Sequence, residues 1–386
     1  MRIALIAPSL SVPDAAHNNA EHLFRLCGGN TGNFAFVFAL HQLLSPHVDI
    51  LPWDVNPEMV KNRYDVIVFA CANQLGPHTD LGWLADRLTT MDRPILAVGL
   101  GAQTLDTSRP IELTAGTRRW LDVIADCAPS SAPNIGVRGL YTQSQLQLLG
   151  HAARGTVIGC PSNLINPDPA LGRSIERRYA TEIIDRVAVP AGLHLWPGLQ
   201  RIEEWLADLV ESCSGTYVAQ SEIDMIRLAR DEAAAIAPNV LEQLRAYIRP
   251  KLGTPDFVQW MRRYATTFID AASWMDAMRK FDFVVGPRFH GVMLGIQAGV
   301  PGAVIAHDSR TFELCQTMGI PVRDHKEIHD KFGIHDLRSM FPFDGPAYDQ
   351  KRAALAQTLA NMFSHAGIVT SLTHLEAIGQ KQAAAA

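Results

Sequence analysis

The sequence carries little net charge and no long run of one sign: 34 Lys and Arg stand against 39 Asp and Glu over 386 residues, leaving −5. A nucleic-acid partner needs a basic patch or stripe, so that class is excluded. Cysteine is sparse. Cys27, Cys71, Cys127, Cys160, Cys213 and Cys315 lie far apart. With no C-x-x-C pair there is neither a zinc ribbon nor a dithiol redox centre, and scattered thiols suit a reducing, cytoplasmic setting. No apolar stretch reaches the roughly 20 residues that cross a bilayer. The opening MRIALIAPSL has one basic residue, and Pro8 and Asp14 interrupt its apolar run; it reads as a buried first strand, not a signal peptide. There is no P-loop, no Gly-x-Ser-x-Gly elbow and no H-E-x-x-H helix. His325 and His329 are four apart, but Asp324 and Asp330 beside them read as solvated turn residues, and no metal is expected. VGLGAQ (98–103) lacks the third glycine of a dinucleotide fingerprint and reads as a tight strand–helix turn. No internal repeat appears, and the only low-complexity segment is the tail at 379–386.

What is present is apolar substance and a regular rhythm. Hydrophobic residues make up 47% of the chain, and the length suits two domains of ordinary size. Apolar runs at 3–7, 66–70, 81–89 and 95–100 have the character of strands covered on both faces. Helical patterns at 33–44, 120–125 and 142–149 separate them, with short strands at 136–138 and 156–159. Residues 162–173 hold two prolines, with a third just before them at Pro161, and read as a linker. The rhythm then restarts: strands at 187–195, 216–219, 281–285 and 303–306, and helices at 202–212, 273–279, 289–298 and 311–317. The alternation implies α/β architecture with parallel sheets. The expected layout is two Rossmann-like domains, 1–165 and 174–345, facing across a cleft, with a C-terminal helix at 346–378 packing back on the first.

The strongest local signal is FDFVVGPRFHGVMLGIQAGVP, from Phe281 to Pro301. An apolar strand meets a Gly286-Pro287 turn and a helix that Gly299 and Pro301 stop. Arg288 and His290 stand at the carboxyl end of the strand and in the first helical turn. Ligands of open α/β sheets bind at that end, and free N–H groups there attract anions. An arginine adds a bidentate clamp for carboxylate or phosphate. The same two residues equally suit a structural role, the arginine paired with a carboxylate and the histidine hydrogen-bonded in the core. Trp196 and Trp83 could stack on a sugar ring but read first as packing, and Cys160 reads as a small buried residue, not a nucleophile.

The segment from Gly286 through Pro321 resembles the C-terminal signature of the polysaccharide pyruvyl transferase family: Gly-x-Arg-x-His-Gly, an apolar helix, Gly-Val-Pro, a strand, and a polar turn with a basic residue. Here these are Gly286, Arg288, His290, Gly291, Gly299, Val300, Pro301 and the turn His307-Asp308-Ser309-Arg310, with arginine where the family more often has lysine. GGNTGN (28–33), VGLGAQ (98–103) and GCPSN (159–163) match further family segments in order. At Val137-Arg138-Gly139 the family usually reads Val-Arg-Asp, and the Asp is missing.

The resemblance implies a GT-B-like fold and an enzyme that moves pyruvate from phosphoenolpyruvate to two hydroxyls of a sugar as a cyclic ketal. It implies no cofactor beyond that donor substrate. The acceptor would be a saccharide met on the N-terminal side. A lipid-linked acceptor would bring peripheral contact with the inner face of the membrane. His290, Arg288 and Arg138 are the implied catalytic residues. Gly28, Asn30, Gly32, Asn33, Gly101, Gln103, Ser309 and Arg310 are the implied donor site. The helix dipole and Arg288 are expected to lower the pKa of free His290, and a bound trianion to raise it again. Two other readings stay open: a glycosyltransferase using a nucleotide sugar, for which no glutamate stands out at the head of a C-terminal-domain helix, and a non-catalytic sugar-binding protein. The sequence leaves the oligomeric state open.

Overall fold

The computed structural model describes residues 1–44, 46–103, 109–370 and 378; the tail assigned to 379–386 lies outside them. The backbone forms two parallel six-stranded sheets. The first has the order β2-β1-β3-β4-β5-β6, with β1 Ile3–Ile6, β2 Val48–Leu51, β3 Val66–Ala70, β4 Ile95–Leu100, β5 Ile135–Val137 and β6 Gly155–Val157. The second has the order β12-β11-β10-β7-β8-β9, with β7 Val187–Ala191, β8 Thr216–Ala219, β9 Ala265–Thr266, β10 Phe283–Gly286, β11 Gly302–Ala306 and β12 Val322–Asp324. Two Rossmann-like units of the GT-B type follow. Each has one switch point where successive connections turn to opposite sides, between β1 and β3 and between β7 and β10; crevices open there at the carboxyl ends of the strands.

The central strands β1, β3, β4, β7, β10 and β11 are buried along their whole lengths. That is why they are legible as unbroken apolar runs. The run at 81–89 is a different case: it is the helix Gly82–Met91, which buries Leu84, Ala85, Leu88 and Met91 and turns Trp83 to solvent. An apolar stripe at helical spacing within nine residues mimics a strand run. Strand β7 stops at Ala191 and not at residue 195, because Gly192 takes φ +92 and turns the chain. Arg138 lies one residue past β5. The segment 162–173 is ordered: a 3₁₀ turn at Pro161–Leu164 precedes the helix Leu171–Thr181.

The helix Gly345–His365 crosses back to the first unit and packs on that segment, on β6 and on the Leu171–Thr181 helix. Arg352 is fully buried in it. Its Nε donates to Asn163 O (2.8 Å) and its Nη1 to Asp168 O (2.7 Å), while Tyr348 Oη donates to Asn163 Oδ1 at 2.7 Å. One continuous apolar cluster runs from β1 through the Asn33–Leu44 helix and the 289–297 helix to Phe363, joining the two units.

Arg352→Ala should therefore leave two buried carbonyls without a donor, at about 1.5–3 kcal/mol for each bond to the charged group. A loss of about 3 kcal/mol or more in urea unfolding is expected; a loss under 1 kcal/mol would mean that the crossing helix is not held this way.

Candidate active site

The cleft between the units has a volume of about 500 Å³. Its wall is built from both sheets' carboxyl ends. Arg138, following β5, comes from the first unit; Arg288 and His290, following β10, and Arg310, following β11, come from the second. Asn30, Asn33 and Gln103 complete the predicted residues that line it.

Four predicted donor residues are placed elsewhere. Gly28 lines the neighbouring cavity. Gly32 has no room for a ligand: a Cβ there would sit 2.6 Å from Gln220 Nε2 and 3.1 Å from His290 Cβ, so it permits close approach of the two units. Gly101 lies under Arg138, whose Cδ would be 3.0 Å from an added Cβ. Ser309 faces a separate pocket beside Glu313. Glycines in these motifs serve packing, and the motif pattern alone does not separate that from ligand contact.

The GGNTGN loop joins the units. Thr31 N donates to Gln220 O at 2.7 Å, and Asn30 and Ser221 form an antiparallel bridge. Asn30 Oδ1 accepts from Gly32 N (2.8 Å) and Gln220 Nε2 (3.3 Å). Asn33 Nδ2 donates to Cys27 O at 2.9 Å, closing the turn before the Asn33–Leu44 helix. Further ties lie beyond the cleft: Val12 N donates to Ile269 O at 2.9 Å, and Arg230 Nη2 to Ala15 O at 2.8 Å.

The electrostatics follow from burial. Arg138 is 4% exposed and has no carboxylate within 4.0 Å among the described residues. Its Nε donates to Gly99 O at 2.8 Å. Desolvation pushes its pKa down to about 10. Arg288 donates to Gly192 O at 3.0 Å and stands 3.9 Å from Glu222 Oε1, and its Nε has no partner among the described residues. Burial lowers its pKa too, with Glu222 and Glu203 opposing. Arg310 pairs with the buried Asp308 at 3.4 Å.

His290 is 8% exposed, with Phe36 and Phe289 packed on its ring. Burial first, then Arg138 and Arg310, hold its pKa well below the ordinary imidazole value. The lowering expected from the sequence is there, and the guanidiniums that cause it are Arg138 and Arg310 and not Arg288. The ring is therefore neutral, with Nε2 3.5 Å from Cys160 Sγ. Cys160 is buried, as expected, yet it touches the key histidine, and Ser162 Oγ donates to its sulfur at 3.0 Å.

Several residues of the site escape a reading of the sequence. Glu203 is buried within the helix Gln200–Ser212 and accepts from Gly192 N (3.0 Å), Leu193 N (2.9 Å) and Tyr217 Oη (2.7 Å), fixing the turn that holds Arg288. His307 and Trp196, which the sequence offered only as part of the motif turn and as packing, pack edge to face at the cleft's margin. Glu222 does stand at the head of a helix, Ile223–Ala229, in the second unit, with φ +63; it is the one carboxylate among the described residues lining the cleft. Positive φ in a non-glycine marks sites where strain is retained for a purpose, but the sequence around it, SEIDM, gives no sign of it.

A second cavity of about 760 Å³ opens at the β1/β3 switch point, lined by Trp53, Asp54 and Arg25 among others, and it shares Asn30, Asn33 and Asn73 with the cleft. Among the described residues no group of three or more His, Cys, Asp or Glu is placed to hold a metal, and no helix is long and apolar enough to cross a membrane. All six cysteines are free.

The profile of the polysaccharide pyruvyl transferase family matches residues 30–309, from the GGNTGN loop to the turn before Arg310. The chain belongs to that family. It is therefore placed among pyruvyl transferases, enzymes of polysaccharide biosynthesis. No curated protein matches it. Solved structures similar to this pyruvyl transferase family member share little sequence. They include an S. aureus MnaA–UDP complex (10% identity, TM-score 0.47, covering 96% of this chain and 98% of that one). Methanocaldococcus jannaschii UDP-GlcNAc 2-epimerase with UDP-GlcNAc and UDP is similar at 9% identity, TM-score 0.45, covering 93% and 100%. The Neisseria meningitidis UDP-GlcNAc 2-epimerase bound to UDP-GlcNAc is similar at 12%, 0.45, 94% and 100%.

Acid should destabilise the protein through the buried histidines. Burial, opposed by Asp308, drops the pKa of His307 to about 4. Below the unfolded value of about 6.5 the unfolded chain takes up a proton that the native state refuses, so stability present at pH 7 is lost as pH falls from about 6.5 toward 4. His307→Gln should remove up to about 3 kcal/mol of that decline. Urea midpoints at pH 7.0, 5.5 and 4.5 check it; an unchanged slope in the variant would refute the assignment.

Proposed function

We propose that the protein transfers pyruvate from phosphoenolpyruvate to two hydroxyls of one sugar, closing a cyclic ketal and releasing phosphate. The observation that carries this reading is the convergence of three guanidiniums, from Arg138, Arg288 and Arg310, on one cleft around a neutral, buried His290. Phosphoenolpyruvate is small and carries up to three negative charges. A compact pocket whose cations lack full carboxylate pairing suits it better than a large neutral ligand.

The roles follow from the charges. The arginines take the phosphate and carboxylate. The bound trianion raises the pKa of His290, reversing the effect of Arg138 and Arg310, and the ring takes up a proton. His290 then gives that proton to the methylene carbon, which becomes the methyl group and leaves oxocarbenium character at C2. The first sugar hydroxyl adds at C2 and returns its proton to His290. The second hydroxyl displaces the phosphate, and its proton leaves with that group. Neighbouring dipoles and guanidiniums stabilise the charge that develops. The cavity beside β1 and β3 is the natural place for the acceptor sugar, since it opens onto the cleft through Asn30, Asn33 and Asn73. If that acceptor is lipid-linked, the enzyme would work at the cytoplasmic face of the membrane.

Glu222 favours a second reading, glycosyl transfer from a nucleotide sugar. It supplies the carboxylate at a helix head that a ribose would need. Phosphate release from phosphoenolpyruvate with a panel of aryl or lipid-linked glycosides supports pyruvyl transfer. Turnover with nucleotide sugars alone would replace it with the second reading.

His290→Ala should cut kcat by roughly 10²–10⁴-fold, the usual worth of a general acid–base, with the donor KM changed far less. A destabilised but proportionally active variant would show that the ring is packing. Arg288→Lys should depress kcat/KM strongly while the fold is kept, because an ammonium does not reproduce the guanidinium fork; donor titration with the purified variant measures it.

A further inference from the structure

Residue 139 is the N-cap of the helix Leu140–Leu148, and it is a glycine with no side chain to offer. N-cap side chains normally accept from the second and third amides of the helix, here Tyr141 and Thr142. Those two amides do have a carboxylate beside them. Glu313, on the helix Ser309–Met318 of the other unit, accepts from Tyr141 N, and its carboxylate also faces the Thr142 amide. It lies 172 residues from Tyr141 in the chain. Its Cγ and Oε1 stand 2.5 Å from where a Cβ on Gly139 would be, so it occupies the place that a residue-139 side chain would take. The backbone of Gly139, φ −174 and ψ −175, is extended and open to any residue.

We propose that Glu313 is a positioning residue: it caps the Leu140–Leu148 helix in place of a side chain at 139, and thereby sets Arg138 against Arg310 around His290. Arg138 immediately precedes the capped helix, and Arg310 lies one turn before Glu313 on its own helix. Both arginines act on His290 from opposite units. An N-cap within one unit would hold the helix but leave the two guanidiniums free to separate; a cap lent by the other unit ties them. The tie to catalysis rests on the functional reading above, while the cap itself does not.

Four proteins test it: wild type, Glu313→Ala, Gly139→Asp and the double variant, with Glu313→Gln as the conservative change, since an amide oxygen still accepts. Hydrogen exchange at the Tyr141 and Thr142 amides should rise in Glu313→Ala and return toward wild type in the double variant, where the Asp finds the space vacated. Gly139→Asp alone should be impaired by collision with Glu313. In the transferase assay Glu313→Ala should raise the donor KM and lower kcat/KM by roughly tenfold, about the weight of one cap. Glu313→Gln should stay within about threefold of wild type. The double variant should regain amide protection and melting temperature but only part of kcat/KM, because its cap no longer crosses between units. Unchanged amide exchange in Glu313→Ala, or losses in melting temperature that simply add in the double variant, would overturn the cap. Full recovery of kcat/KM by the double variant would overturn the tie. A wild-type protein without transferase activity sinks the functional reading, and the tie with it, while exchange and melting still decide the cap.

Discussion

Burying a guanidinium without a carboxylate is the constraint around which this site is organised. Among the described residues Arg138 is held by backbone carbonyls alone, Gly99 O foremost, and charge withdrawn from water is costly unless it is compensated. The protein meets that cost with oriented peptide dipoles, and the net field left in the cleft is positive. The state of His290 is a consequence: a dry environment first, and then the guanidiniums of Arg138 and Arg310, leave the ring neutral. Under the proposed function an anionic donor would supply counter-charge to the guanidiniums that face the cleft.

Such a field is maintained only if the two units are fixed against each other, because its charges come from both. The apolar core is continuous across them. The Gln220–Thr31 hydrogen bond and the Gly345–His365 helix hold the seam at two ends. Interfaces between domains of one chain are often small and polar, leaving the domains free to move; here the junction carries core residues, buried hydrogen bonds and ion pairs such as Arg227–Glu21. The site resembles a built cavity more than a hinge.

What was legible in the sequence is what is local. Strands buried on both faces announce themselves as apolar runs, and so β1, β3, β4, β10 and β11 were readable. The edge strands β2 and β12 are only partly buried and mix in Asp49, Arg323 and Asp324, so they carry no such signal. The Arg288–His290 pair was visible because strand end, turn and helix start lie within a few residues. The source of the histidine's shift was not, since Arg138 is more than a hundred residues away and nothing in the order of residues connects them. Glu203 and Glu313 were invisible for the same reason: each is an ordinary helical glutamate until the fold brings a distant backbone amide to it. Motif glycines misled in the opposite direction, because a residue that lets two elements touch and one that lets a ligand approach leave the same mark.

The placement of the two cavities adds a last step. Each sheet has one topological switch point, and each has its cavity there. The cleft is walled by arginines from both units; the cavity at the first sheet's switch point presents Trp53, Asp54, Arg25 and asparagines, so that a ring face and hydroxyl partners stand beside one cation. Under the proposed function the cleft would take the donor and the first sheet's cavity the acceptor. The loop from Gly28 to Asn33 belongs to both, because its asparagines line each cavity while its backbone is bonded to the opposite unit. This loop is the shared wall of the two cavities, fixed to the second unit through the Thr31–Gln220 hydrogen bond and the close approach at Gly32.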